Sequence, residues 1–403
     1  MLPNIILRAP VYSQSGYGVH SKDITMALWD SQKFNISLIP TGWAASSLSI
    51  ESIDMREKEA LTFMSNNLLH KEAPFIFVHV GIPPEFQKIG QINIGITAGL
   101  EADKITKEWV EGCNRVDLVI VPSNFVKEVF QISGVTSRIE VVEEGVDTSV
   151  FNDDTSVITN DLLKDIEQPI NLLSIGQWLG RGIGEDRKGI GLLVDTFLKV
   201  FEGNSKVGLV LKTYINNNST VDFTILKERL KDLKQNKKYP QIHLVHGNLT
   251  NQEMACLYKH PKITGFISLT SGEGWGRGIA EAIACNLPTA VTGWGGQMHY
   301  LNSTNAKLID FTLKQVPYSA VATKFFTPDM VWAYPNIEDA KRKMKDLVEN
   351  PLSNKKRAKE QGEIFRKTYN KNFLYKKLVS LFEELGTQLE NNSSKNTFLV
   401  EKV

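Results

Sequence analysis

A chain of 403 residues is too long for one ordinary core, so two domains of roughly 150–200 residues are expected. The composition, 42% hydrophobic and 23% charged, excludes the biased classes, and no run nears the roughly 18–20 apolar residues that span a bilayer. The net charge of +1 hides an uneven division, with 13 Lys and Arg against 23 Asp and Glu in residues 1–170 and 33 against 22 in the rest.

Short apolar runs alternate with helical patterns along the chain, as in parallel sheets covered on both faces. In the first half, strands are read near Asn4–Arg8, Asn35–Ile39, Phe75–Val80, Ile92–Thr97, Leu118–Val121 and Ile139–Val142. The helix Ser123–Ser133 opens on a residue suited to cap it and is followed by Gly134. In the second half, strands are read near Ile170–Ile175, Gly208–Lys212, Ile242–Val245, Gly265–Leu269 and Thr289–Thr292. Thr250 and Glu253 have capping-box spacing before the helix Asn251–Lys259. The fold class is therefore α/β with two doubly wound domains, 1–165 and 166–370, joined through the polar run Asn152–Gln168. Past residue 310 the pattern is helical, over Glu338–Glu349, Pro351–Tyr369 and Phe373–Leu389, and the last residues form a loose tail within 371–403.

Cys113, Cys256 and Cys285 stand far apart in apolar helical contexts, which fits buried thiols in a reducing compartment and gives no metal spacing. The opening MLPNIILRAP lacks the basic region and long apolar core of a signal peptide, so a cytoplasmic protein is expected.

Four stretches carry chemistry. SQSGYG, Ser13–Gly18, follows a strand, where Gly16 and Gly18 let backbone N–H groups approach a phosphate or substrate. GQWLGRGIGEDRKG, Gly176–Gly189, gathers Arg181, Arg187 and Lys188 before a helix start, the charge a diphosphate needs. It lacks the spacing of a P-loop or a dinucleotide fingerprint, so ATPase and dehydrogenase readings are poor. VHGNLTNQE, Val245–Glu253, places Asn248 in a strand–turn–helix able to meet a nucleobase edge; His246 reads as structural, and His20 as a surface or capping residue. SGEGWGRGIAEAIACN, Ser271–Asn286, sets Glu273 in a glycine-broken loop and Glu281 about one turn into the following helix, ahead of Gly293–Gly296. A helix start attracts anions, and carboxylates accept hydrogen bonds from sugar hydroxyls, so the combination points to a nucleotide-sugar site. Two carboxylates also suit a glycosidase pair.

SGEGWGRGIAEAIACNLPTAVTGWGG resembles the E-x7-E signature of family 4 retaining glycosyltransferases. TAGLEADKITKEWVEGCNRVDLVIVPSNFVKEVF and VVEEGVDTSVF are similar to the end of that family's first domain. RKGIGLLVDTFLKVF resembles the diphosphate-binding segment that opens its second. The resemblance covers residues 75–300 well. It implies a GT-B fold: two Rossmann-like domains facing across a cleft, an acceptor side first and a donor side second, with C-terminal helices crossing back to the first domain. By motif position, Glu281 would hold the ribose hydroxyls, Glu273 the donor sugar near the reacting face, and Lys188 the diphosphate. The N–H groups of Trp275, Gly276, Arg277 and Gly278 would meet sugar or phosphate oxygens. Gly16 and Gly18 would lie near the phosphate, and His79 would touch the donor sugar. Gln177 stands where the family usually has Arg, so Arg181 or Arg187 is expected to replace that charge, and Arg277 and Gly278 stand where Leu and Pro are common.

The implied reaction is retaining transfer of a sugar from a nucleotide-diphosphate sugar to a hydroxyl acceptor, with the leaving diphosphate taking the acceptor's proton. No Asp-x-Asp occurs in the sequence, so metal-independent transfer without a cofactor is expected. The alternatives are an epimerase or phosphorylase on the same fold, or a non-catalytic sugar-nucleotide-binding module. A saccharide, glycolipid or other hydroxyl acceptor fits the acidic first half; nucleic acid, which needs many Lys and Arg contacts, does not. The basic helices leave room for peripheral membrane contact without a strong amphipathic signal for it.

Overall fold

The computed structural model describes every residue except 1, 45, 47, 49–52, 70–72, 157–161, 181, 217, 236–237, 322–324 and 396–403. The chain forms two compact units. One holds residues 1–99, 105–145 and the stretch from 371 onward; the other holds 100–104 and 146–370.

The first unit contains β1 (Asn4–Ala9), α1 (Gly16–Asp30), β2 (Asn35–Pro40), α2 (Met55–Asn66), β3 (Phe75–Val80), β4 (Ile92–Ile96), α3 (Lys107–Cys113), β5 (Leu118–Val121), α4 (Asn124–Ile132) and β6 (Arg138–Val141). Side chains cap all four helices: Ser15, Asp54, Thr106 and Ser123 each accept a first-turn N–H. The strands pair in parallel in the order β2-β1-β3-β4-β5-β6. The chain leaves β1 toward β2 and then returns to its other side, so the order reverses between β1 and β3. A crevice for ligands opens at the carboxyl ends of such strands. The helix Lys371–Lys395 belongs to this unit. Its Leu378, Phe382, Leu385 and Leu389 recur at three- and four-residue steps and bury against Ile5, Leu7, Val78 and Ile94.

The second unit contains β7 (Ile170–Gln177), α5 (Ile190–Val200), β8 (Val207–Tyr214), α6 (Thr220–Lys234), β9 (Gln241–Val245), α7 (Asn251–Lys259), β10 (Ile263–Ser268), α8 (Arg277–Ala284), β11 (Thr289–Thr292), β12 (Lys307–Ile309), β13 (Phe311–Gln315), β14 (Val331–Pro335), α9 (Ile337–Glu349) and α10 (Pro351–Thr368); the helix Lys371–Lys395 is then α11. Its main sheet is parallel, in the order β12-β11-β10-β7-β8-β9. Alternation along β8 divides the core. Leu209 and Leu211 pack with Leu193 and Phe197 of α5, and Val210 packs on the other face with Tyr258 of α7 and Ile279 and Ile283 of α8. Here the order reverses between β7 and β10, and the loops after these two strands carry the basic and acidic motifs.

Past residue 310 the helical pattern is joined by an antiparallel pair, β13 with β14, that the sequence did not announce. Four of the five β13 residues are exposed, so no buried alternation marks the strand. The three cysteines are buried free thiols, and burial pushes Cys113 and Cys285 up to about 12. Among the described residues, no helix is long and apolar enough to cross a membrane.

Candidate functional site

The loop after β7 ends in Asp186-Arg187-Lys188, and Asp186 fixes that ending. Its carboxylate accepts the N–H of Ile190, the first residue of α5, at 3.0 Å and that of Lys188, just ahead of the helix, at 3.3 Å. Burial pushes this carboxyl up while those two N–H groups pull it down. The Arg187 carbonyl accepts the N–H of Ser271 at 2.8 Å, which ties the loop after β7 to the loop after β10.

Across that tie, Lys188 Nζ lies 2.5 Å from Glu273 Oε2 and 3.4 Å from Glu101 Oε1, and Arg187 pairs with Glu101 as well. The hydroxyl of Thr270 donates to Glu273 Oε1 at 3.1 Å. All four charged side chains are less than one-fifth exposed. Burial works to raise the Glu101 carboxyl, but Arg187 and Lys188 outweigh it and hold the group low. Burial also works against the charge on Arg187, and Glu101 and Glu273 more than restore it. Arg187 and Glu101 thus hold each other charged in a half-dry place, with Lys188 and Glu273 packed beside them.

The glycine loops set this acid in position. Gly296 donates its N–H to the Glu273 carbonyl at 2.6 Å. A Cβ on Gly296 would fall 1.8 Å from the Gly274 carbonyl oxygen, so only glycine lets the two loops touch. Gly276 takes φ +89° at the start of α8, and no side chain caps that helix. One turn further on, Glu281 Oε2 lies 3.0 Å from the hydroxyl of Tyr258, and Oε1 lies 4.0 Å from Arg277 Nε. Burial, with the Glu281 charge behind it, pushes the Tyr258 hydroxyl well up. The unit therefore presents, at one crevice, a cation held by carboxylates and an uncapped helix start. Such an arrangement can grip a polar, anionic ligand.

No protein-family model matches the chain, and no curated protein matches it in sequence. Solved structures match it over nearly its whole length. Sucrose-phosphate synthase from Thermosynechococcus elongatus gives a TM-score of 0.66 at 12% identity, covering 96% of this chain and 100% of that one. A UDP-forming α,α-trehalose-phosphate synthase from Burkholderia xenovorans, solved with glucose-6-phosphate, gives 0.64 at 10% identity, over 94% and 100%. HepE of Anabaena, solved with UDP and glucose, gives 0.62 at 13% identity, over 95% and 100%. The fold is GT-B. At these identities the likeness carries the fold and no more.

Within the second unit of this GT-B chain, Lys188 and Glu273 meet directly, whereas Glu281 answers to Tyr258 and Arg277. The ring of Trp275 is buried against Tyr300 and Tyr369, so only its backbone is left for a ligand. A Cβ on Gly278 would meet the Tyr258 hydroxyl at 3.4 Å. Asn248 lies past β9, its side-chain oxygen taken by Asn218 at 2.7 Å. His246 bridges the carbonyls of Thr213 and Ser219, a structural use. Gln177 turns its amide to the Ile215 carbonyl at 2.7 Å, Arg187 is engaged by Glu101, and Arg181 lies outside the described residues.

In the first unit, Gly16 and Gly18 open α1 at the β1 end. A Cβ on Gly18 would fall 1.8 Å from the Ser13 carbonyl oxygen, while Gly16 has open space around its own. His79 stands in register with Arg8 across β1 and β3, buried beside Phe86. Burial first, and Arg8 next, bring its imidazole down to about 4 against a backbone contact with Glu85, so the ring is neutral near pH 7. Its Nδ1 has no partner among the described residues. Sequence reasoning missed Glu101, Thr270 and Tyr258 as members of the site. Glu101 lies 86 positions before Arg187, and no local pattern announces such a pairing.

Proposed function

We propose that this chain is a retaining glycosyltransferase that moves a sugar from a nucleotide-diphosphate sugar to a hydroxyl acceptor without a metal ion. The observation that carries this reading is the ammonium of Lys188 on Glu273, at the crevice between β7 and β10 and beside the uncapped start of α8. Lys188 takes the diphosphate. Glu273 takes the donor sugar's hydroxyls and Glu281 those of the ribose. The backbone N–H groups of Trp275–Gly278 take oxygens of the sugar or phosphate, and Asn248 takes the base edge. His79, neutral and with an unmatched Nδ1, offers a hydrogen bond to a sugar hydroxyl. Gly16 and Gly18 take the loop role that the sequence resemblance implies.

In this reaction the bond from the anomeric carbon to the diphosphate oxygen breaks as the acceptor oxygen bonds to the same face. The acceptor's proton passes to the departing diphosphate. Negative charge develops on that oxygen, so a fixed cation and oriented N–H groups are what lowers the barrier. Proteins of this fold solved with UDP and glucose, or with glucose-6-phosphate, favour a uridine donor and a saccharide acceptor as the first pair to try. A cytoplasmic setting suits the three reduced thiols.

A thermal-shift panel of UDP-, GDP-, ADP- and TDP-sugars tests donor binding, since a ligand at 100 Kd stabilises by roughly 2.7 kcal/mol. Transfer requires that free nucleoside diphosphate appear only when acceptor is present. Release without acceptor points to an epimerase or phosphorylase instead. An inverted anomeric product overturns retention. Turnover abolished by EDTA and restored by Mg²⁺ or Mn²⁺ overturns metal independence.

A further inference from the structure

Lys212 is an unused charge in the second unit. It lies two residues before the end of β8, level with Ile175 of β7 and Val245 of β9. Two residues earlier, Val210 packs with α7 and α8, so alternation puts Lys212 on the same face, and Ile175 and Val245 border the same apolar cluster. The residue is only 8% exposed, and while its backbone lies in the ladders with β7 and β9, its side chain makes no hydrogen bond or ion pair among the described residues. A lysine held this way without a counter-ion is uncommon, because taking an ammonium out of water costs heavily unless an anion comes with it. Burial alone lowers its pKa to about 8, so the amine is still largely charged at neutral pH.

The position says where an anion would come from. Apolar residues lie beside Lys212 and before it, which leaves the carboxyl ends of β7 and β8 as the polar way out for its head. Those ends form one side of the crevice at which the strand order reverses. Lys188 and Arg187 are there already, but Glu101 and Glu273 neutralise them. Lys188 can turn to a phosphate oxygen, but with Arg187 held by Glu101 that leaves one cation for a diphosphate that carries more than one negative charge. Lys212 supplies a second, and the uncapped start of α8 lies on its side of the sheet.

We propose that Lys212 is a donor-binding residue whose ammonium pairs with a phosphate oxygen of the nucleotide held over β7 and β8. This rests on the donor reading given above. It adds a specificity: the site should discriminate a nucleoside diphosphate from the bare nucleoside through Lys212, because the nucleoside has no oxyanion to offer it.

The test compares wild type with Lys212→Met by calorimetry, using UDP, GDP, ADP and TDP and the four matching nucleosides. The expected result is a loss of about ten- to a hundredfold in diphosphate affinity, the range of a charge-assisted hydrogen bond. Nucleoside affinity should change by less than about twofold, and the melting temperature should hold or rise, because a buried unpaired charge has been removed. A role confined to folding would lower the melting temperature and leave the ratio of the two affinities where it was, which overturns the proposal. Unchanged diphosphate binding by Lys212→Met also overturns it, and leaves the donor reading intact. A wild-type protein that binds none of the four diphosphates sinks the donor reading itself. If the methionine variant does not fold, Lys212→Gln keeps a polar chain of similar reach and is read by the same ratio.

Discussion

The ammonium of Lys188 lies 2.5 Å from Glu273 Oε2, joining the loop after β7 to the loop after β10 where the strand order of the second sheet reverses. A point cation there can turn from a carboxylate to a phosphate oxygen by a small rotation of its stem. Lys188→Met should therefore lower kcat/KM by at least about a hundredfold, the scale seen when a group that meets developing oxyanion charge is removed. Lys188→Arg should not restore it, because a planar fork already faces Glu101 from Arg187 and a second has no matching geometry. Steady-state kinetics with the best donor from the sugar-nucleotide panel decide it; activity within threefold of wild type in Lys188→Met rules out the assignment.

Glu101 neutralises both neighbouring cations, so its removal acts on stability and on binding in opposite directions. Glu101→Gln leaves Arg187 and Lys188 with one carboxylate between them and should destabilise the fold by about 2–3 kcal/mol at pH 7. The same change frees positive charge and should tighten nucleoside diphosphate binding. The carboxyl is held below its ordinary value of 4.5 in the folded protein. Its contribution is therefore complete above that pH and is lost as pH falls through the folded value. Urea unfolding of both proteins should show the gap closing below pH 4.5. A gap that widens with acid contradicts the assignment, as does weaker nucleotide binding in the variant.

Tyr258 holds the far oxygen of Glu281 from a neighbouring helix, at 3.0 Å. Tyr258→Phe removes that bond and leaves the ring in its apolar setting. About 1 kcal/mol of stability should go with one buried hydrogen bond. Glu281 is assigned to the ribose, remote from the reacting bond, so the kinetic effect should fall on KM for the donor with kcat nearly unchanged. A fall in kcat at constant KM would place Glu281 at the chemistry instead.

Much of this was legible in the residues, and the reasons differ from place to place. Strands such as β3, β4, β5 and β8 are apolar runs buried almost throughout, because helices cover both faces, whereas β1, β2 and β6 alternate in burial and were legible from that period instead. The start of α8 was legible from glycines before an apolar face, and Thr250 with Glu253 forms the capping box their spacing promised. The hairpin β13–β14 was not, since an exposed strand leaves no buried period to read. Glu101 and Tyr258 were invisible for another reason. Each acts through a partner far along the chain, and only the order of the strands brings those segments together. Trp275 reads as a ligand contact through its backbone N–H, and its ring, whose use the motif leaves open, packs on Tyr300 and Tyr369 in the core. A motif gives the backbone path of a loop more faithfully than the use of each side chain on it.

His79 offers a pH signature that needs no substrate. In the folded protein its imidazole is brought down from 6.5 to about 4. Between those values the unfolded chain binds a proton that the native chain does not. Stability is therefore complete above pH 6.5 and falls as pH drops toward 4, by about 3 kcal/mol at most. His79→Gln cannot take up that proton, so its stability should fall less over the same range. The measurement is urea unfolding of both proteins at pH 7 and pH 4.5, and the two losses should differ by about 2 kcal/mol. The ring is neutral across the working range, so kcat/KM in wild type should show no limb near pH 6.5 that disappears in His79→Gln. Such a limb would mean that the imidazole titrates normally and meets the substrate as a charged group, contrary to its assignment as a neutral hydrogen-bonding partner of a sugar hydroxyl.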